Sequence, residues 1–285
     1  VRRSVVILLA TVVVVAMLIG IWRYVRPLGG AEQLTLTSVE GQVTLVQPGR
    51  GAGEAVVGRT LVAEDQLQTA VGRAVLELEG GTRVRVGPSS NLLVVGVDDN
   101  GLQLELDGGA LKATVRPESG ALAVTGAGIT AQATDADFAF GMSDDLVVLE
   151  STRGDVGVMG ADIGRVVEGS RAVIASRAAS VGPIPSDLLL SVEWPEARRT
   201  REETGAVAGR TAPGATVTVR GPTGVQEVTA DQEGAFLAIV PLTEGENPVE
   251  IEARDVFGEE THAEGVLQVR VTAPPTLKSG VEYPR

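Results

Sequence analysis

The sequence predicts a mainly β protein, with an N-terminal transmembrane helix followed by two β-rich regions. Three observations point there. Val5 to Trp22 is an uncharged apolar run; short Val- and Leu-rich stretches then alternate with Gly, Asn and Asp turns; and no long helical period interrupts them. Apolar residues make up 44% of the 285-residue chain and aromatics only 3%, so its cores must be built from Val, Leu and Ala. The 36 glycines suit many tight turns.

The run VVILLATVVVVAMLIGIW is just long enough for a bilayer core, which takes about 20 apolar residues. Trp22 and Tyr24 suit the membrane interface, and Arg23 and Arg26 can snorkel beyond it. The expected anchor covers residues 5–25, behind a short tail of residues 1–4. A cleaved signal peptide would place small residues directly after the run. Here Arg23 and Arg26 stand before Gly29-Gly30-Ala31, so a retained anchor is the better reading. Two arginines flank each side, and charge alone hardly decides orientation.

Arg2, Arg3, Arg23 and Arg26 are the only charged side chains before Glu32. With those four set aside, the formal charge of −13 becomes −17, from 20 basic and 37 acidic residues. Such a surface repels phosphate backbones, so no nucleic-acid partner is expected. The absence of cysteine excludes disulfides, thiolate metal sites, a Cys nucleophile and a lipoprotein acylation site.

From 34 to 175 the pattern is a run of hairpins. In Ala74–Val86, AVLELEGGTRVRV, apolar Leu76, Leu78, Val84 and Val86 alternate with Glu77, Glu79, Arg83 and Arg85. A three-residue loop, Gly80-Gly81-Thr82, would oppose Leu78 to Val84 and Leu76 to Val86, with Glu79 facing Arg83 and Glu77 facing Arg85. A related phrase, Leu104 to Gly109, predicts a second hairpin through Gly108-Gly109, pairing Leu106 with Leu111 and Glu105 with Lys112. Asn100-Gly101 marks another turn. The expected arrangement is a meander rather than a true repeat.

Val39-Glu-Gly-Gln-Val43, then Val57-Gly58, Leu61, Asp65, Leu67 and Thr69, resembles the opening of a FecR-type domain. Ala74–Val86 resembles that family's central strand–turn–strand unit, and Val147–Val158 with Val167-Glu168-Gly169 its closing strands. One stretch departs from the family: Ala133-Thr134-Asp135-Ala136 stands where a Gly-Thr pair is common. The resemblance implies a non-catalytic, extracytoplasmic β domain over 34–175. In founding members such a domain relays an outer-membrane signal to a sigma factor through a cytoplasmic N-terminal segment. Only four residues precede the apolar run here, and this places signalling second among the expected roles.

Residues 176–201 contain Pro183, Pro185 and Pro195 and read as a linker. From 188 to 273 the pattern returns to β, with about seven short strands if Leu188–Val192 is the first, as expected of an immunoglobulin-like sandwich. Gly209 to Ala215, Asp231 to Phe236 and Gly245-Glu-Asn247 resemble phrases of bacterial Ig-like modules. Residues 274–285 read as a flexible tail.

No catalytic, cofactor-binding or metal-binding residue stands out, and no cofactor is expected. His262, the single histidine, reads as an exposed residue near a turn. Asp98-Asp99, Asp144-Asp145 and the pair Asp135/Asp137 could suggest glycosidase carboxylates or calcium ligands, but turns explain the doublets and no EF-hand spacing is present. Asp231 and Asp255 read as turn formers. No P-loop spacing occurs. The expectation is a non-enzymatic, single-pass inner-membrane protein with its body in the periplasm. It would touch the membrane through Val5–Trp22 and bind or scaffold another envelope protein. A FecR/anti-sigma-type signal regulator is the first alternative. A polysaccharide-binding or -processing protein is the second, disfavoured by the scarcity of aromatics.

Overall fold

The computed structural model describes residues 33–98, 101–194 and 204–269. The expected anchor and both expected tails lie outside these residues. Among the described residues the chain is mainly β, and no helix is long and apolar enough to cross a membrane.

The first body opens with β1 (Leu34–Glu40), β2 (Val43–Gln47), β3 (Gly51–Glu54), β4 (Thr60–Leu61), β5 (Gln66–Thr69) and β6 (Arg73–Leu78). It continues with β7 (Arg83–Val86), β8 (Ser90–Asp98), β9 (Gly101–Leu106), β10 (Gly109–Val115), β11 (Ala121–Gly126) and β12 (Ile129–Ala133). It closes with β13 (Ala136–Ser143), β14 (Leu146–Arg153), β15 (Val156–Met159), β16 (Arg165–Val166), β17 (Ser170–Ala175) and β18 (Ala178–Pro183). These form two nine-stranded sheets. Sheet A runs β4-β1-β6-β7-β10-β13-β14-β17-β18 and sheet B runs β3-β2-β5-β8-β9-β11-β12-β15-β16. Both orders follow the sequence except at the first pair of strands, so the chain lays strands alternately on two sheets that lengthen in one direction. Leu, Val and Ala from both inner faces fill one continuous core, with Phe138 and Phe140 in it.

Three expectations change. The Ala74–Val86 hairpin forms, but Leu76 opposes Val84 and Glu77 opposes Arg83, two residues from the expected register. The shift keeps every side chain on its expected face, because the side-chain period is two. The loop is Glu79-Gly80-Gly81, with φ of +89° and +95° at the glycines, and Leu78 N donates to Thr82 O. Thr82 is drawn out of the turn because its N–H donates to Ser119 Oγ at 3.0 Å and its Oγ1 accepts from Arg116 N at 3.0 Å. Secondly, β9 and β10 are not a hairpin. β9 lies in sheet B beside a parallel β11, whereas β10 lies in sheet A between β7 and β13. Gly108-Gly109 is a corner between sheets: Gly109 has φ of +83°, and a Cβ there would lie 2.5 Å from Ser90 Cα. Thirdly, Ala178–Pro183, expected within the linker, pairs with β17 along its whole length as the last strand of sheet A. β8 and β9 pair on either side of the turn read at Asn100-Gly101, with Asp98 opposite Gly101; Asn100 lies outside the described residues.

The corners explain most buried polar residues of the first body. At each one the backbone leaves a ladder, and its N–H and C=O groups need other partners. Asp65, at the β4–β5 corner, accepts from Val62 N at 3.1 Å and from Gln47 Nε2. Thr69 Oγ1 donates to Gly87 O and accepts from Ser90 N, tying the β7–β8 corner. Ser90 Oγ accepts from Ala110 N at 3.0 Å and donates to Ala110 O, tying the β9–β10 corner. Asp65 and Thr69 are two of the residues that carry the FecR resemblance.

The second body contains β19 (Ser191–Glu193), β20 (Thr204–Arg210), β21 (Thr216–Gly221), β22 (Gly224–Thr229), β23 (Ala235–Pro241), β24 (Gly245–Arg254) and β25 (Glu260–Val269). A three-stranded sheet C, β19-β20-β23, and a four-stranded sheet D, β22-β21-β24-β25, enclose a separate, smaller core around Val217, Ile251 and Phe236. Asn247 is fully buried, accepting from Thr243 N at 2.7 Å and donating to Thr243 O at 2.8 Å.

Candidate functional site

The two bodies meet on the outer face of sheet A. Its pairing places Val75, Arg85, Lys112, Ala139, Glu150 and Arg171 in one row across six neighbouring strands. Their chain neighbours Leu76, Val84, Val86, Leu111, Ala113, Phe140 and Leu149 point into the core, so by alternation this row faces outward.

The turn between β24 and β25 lies over this row. Asp255 shapes it: its Oδ1 accepts from Phe257 N at 2.9 Å and from Glu259 N at 2.8 Å, while Gly258 takes φ of +85°. Val256 and Phe257 are thereby carried onto sheet A. A Cβ on Gly141 would lie 2.9 Å from Val256 Cγ2 and 3.1 Å from Phe257 Cε1, so the contact requires glycine. Gly214 makes a similar close approach to Leu146. Ala110, Ala139, Leu146 and Val148 are buried yet belong to neither core, being on the outer, docked face of sheet A. The Lys112 ammonium sits 5.9 Å from the centre of the Phe257 ring.

Two clefts flank Phe257. One, of about 480 Å³, lies among Glu150, Arg171, Asp255 and the segment Ile184–Leu189. The other, of about 550 Å³, lies among Arg73, Arg85, Lys112 and Phe257. In the first, Glu150 and Arg171 form a nearly buried ion pair. Burial pushes the Asp255 carboxyl above its ordinary value, opposed by the N–H groups of Glu259 and Phe257 and then by the charge of Arg171.

The carboxylates singled out in the sequence do not converge on a catalytic or cation site. Asp135 and Asp137 are held by Arg153 at 2.8 and 3.0 Å, and Arg116 reaches Asp137 at 3.4 Å. The hydrogen bond from Arg153 keeps the Asp137 carboxyl below its ordinary value, against a smaller opposing effect of burial. Asp144 and Asp145 join β13 to β14, with Asp144 at φ of +52°. Asp98 ends β8, and Asp99 lies outside the described residues. Asp231 accepts from Glu233 N and Ala235 N in its turn. His262 is exposed on β25 opposite Glu252. Among the described residues no group of three or more His, Cys, Asp or Glu could hold a metal ion.

Arg85, Lys112 and Phe257 escaped the sequence reading as site residues. Arg85 and Lys112 were expected opposite Glu77 and Glu105, and only the pairing of β7 with β10 sets them against each other.

Residues 65–157 match the FecR protein family. Two crystal structures of a protein assigned as an anti-sigma factor from Parabacteroides distasonis ATCC 8503 align over 41% of this chain, at 14% and 13% identity and a TM-score of 0.37 in each. This chain spans 59% of their length. A polysaccharide lyase aligns over 85% of this chain and 40% of its own, at 12% identity and a TM-score of 0.21. No curated protein matches. The matched segment begins at the Asp65 corner and ends in β15, so the likeness to the FecR protein family lies within the first body.

Proposed function

We propose that this chain is a non-catalytic signal regulator of the FecR type, held in the inner membrane by Val5–Trp22 with its β bodies outside the cytoplasm. There it would receive a signal from another envelope component and pass it toward a sigma factor. The observation that carries this reading is the FecR match over 65–157, in the body whose corners are built around Asp65, Thr69 and Ser90. It reverses the order expected from the sequence, in which scaffolding came first. The second body is proposed as an Ig-like sandwich, supported by a three-stranded sheet enclosing one core with a four-stranded one. Engagement of Asp135 and Asp137 by arginines speaks against their serving as the acid and base of polysaccharide hydrolysis.

Scaffolding of an envelope protein remains the second reading. It is favoured by Leu237 and Ile239, which are exposed on the outer face of sheet C beside Ala208 and Ala206. Deleting the gene in its own host and sequencing the transcripts separates the two. Regulation predicts a coherent set of promoters that changes and is restored by the full chain but not by one lacking 65–157. Unchanged transcripts, together with crosslinks to an envelope protein through sheet C, would favour scaffolding instead.

A further inference from the structure

Arg85 and Lys112 stand directly opposite each other on neighbouring strands in the middle of sheet A. Like charges in that relation destabilise a sheet. In a chain with 37 acidic side chains, half of the described cations pair with a carboxylate. Arg83, Arg116, Arg153, Arg165, Arg171, Arg220 and Arg254 each have one. Among the described residues Arg85, Lys112 and nearby Arg73 form no ion pair, although Glu40 stands opposite Arg73 in the β1–β6 register.

All three cations are exposed and line the 550 Å³ cleft, which is within the usual size of small-molecule sites. Phe257 closes one side, the Ser38 side chain contributes a hydroxyl, and Glu40 and Glu259 are its only carboxylates. Three cations against two carboxylates leave one net positive charge, in a body that is otherwise strongly acidic. Guanidinium groups match the oxygens of a carboxylate or phosphate in paired hydrogen bonds, and the half-exposed Phe257 ring offers an apolar face to a sugar-sized body. Other phenylalanines, Phe138, Phe140 and Phe236, are in the cores.

We propose that this cleft binds a small organic oxyanion: a single carboxylate or phosphate, held between Arg85, Lys112 and Arg73, on a body that rests against Phe257. Because Phe257 and Glu259 come from the second body and the cations from the first, an occupied cleft also ties the two bodies together.

Calorimetric titration of the purified full chain in detergent micelles at low salt, with glucuronate, glucose 6-phosphate and glucose, tests this. At least one anion should bind about tenfold or more tighter than glucose, and the ratio of the two anions distinguishes carboxylate from phosphate. Arg85→Gln and Lys112→Gln should each weaken that anion about tenfold or more, whereas Arg83→Gln, whose arginine pairs with Glu77 outside the cleft, should leave it unchanged. Without ligand, Arg85→Gln should raise Tm at low salt by roughly 1–3 °C, since it removes the repulsion. Glucose binding as tightly as both anions, no binding of either anion, or equal losses in Arg83→Gln and Arg85→Gln would overturn the proposal. A lowered Tm in ligand-free Arg85→Gln would do the same.

Discussion

In the first body, most buried polar side chains sit where the chain changes sheets; in the second, Asn247 does so between β23 and β24, whereas Asp255 sits within a turn that joins two neighbouring strands of sheet D. Ser90 and Thr69 serve backbone groups stranded between sheets A and B. Asp255 and Asn247 serve backbone groups at the two ends of β24. The difference follows from topology. A two-sheet stack that lengthens with the sequence needs a corner every strand or two, and each corner interrupts a ladder. A small sandwich confines such interruptions to a few turns, so one turn, Asp255–Glu259, is free to serve as the docking element.

If the first body is one continuous stack, damage to its middle should be felt throughout. Phe140→Ala removes a fully buried ring and should cost about 3–5 kcal/mol. Urea denaturation followed by hydrogen exchange should show protection falling in strands from β1 to β17 but not in β21 or β24. Loss confined to β13 and its neighbours would break the picture of a single cooperative stack.

The corner argument is tested by Ser90→Ala, which leaves the Ala110 N–H buried without its acceptor. The expected cost is about 1–3 kcal/mol. Thr218→Ala, on the outer side of β21 where no such bond is made, should stay within about 0.5 kcal/mol. Equal effects of the two would mean that corners are no more demanding than strands.

Docking is sharpened by Gly141→Val, which places new carbons against Val256 and Phe257. Overpacking of this kind costs about 1–3 kcal/mol. Here it should appear as a wider distribution of distances between the bodies in solution scattering, with both cores intact.

The smallest effects come from two aspartates with opposite pH behaviour. Asp137 has a lowered carboxyl value, so its contribution is present above the ordinary range near 3.8 and is lost as pH falls through the folded value. Asp255 has a raised value; its contribution is present below that range and is lost as pH rises through the folded value. Denaturation midpoints against pH should therefore flatten on the acid limb in Asp137→Asn. In Asp255→Asn they should flatten above about pH 4, where the wild-type chain loses stability on ionisation. A steeper slope in either variant would reverse the assignment.

Much of this was legible in the residues. The alternation of Leu76, Leu78, Val84 and Val86 with charged neighbours predicted which side chains are buried, and all four are. Asp231 and Asp255 were recognisable as turn formers, because an aspartate ahead of a glycine can accept its own turn's N–H groups. The candidate site was not legible. Its members come from β1, β6, β7, β10 and the β24–β25 turn, and nothing local marks them as neighbours.

By itself, then, the sequence determined the β class, the inward face of the Ala74–Val86 strands and the Asp231 and Asp255 turns, since these follow from a two-residue period and from aspartate chemistry. Only the tertiary structure decided which sheet each strand joins. The inner faces of sheets A and B are equally apolar, so local pattern cannot tell Gly80-Gly81, a hairpin loop, from Gly108-Gly109, a corner. Ser119 against Thr82 and Ser90 against Gly109 make that choice, through contacts that span 37 and 19 residues of chain. The same long-range pairing brings Arg85 to Lys112, whose ammonium lies against Phe257.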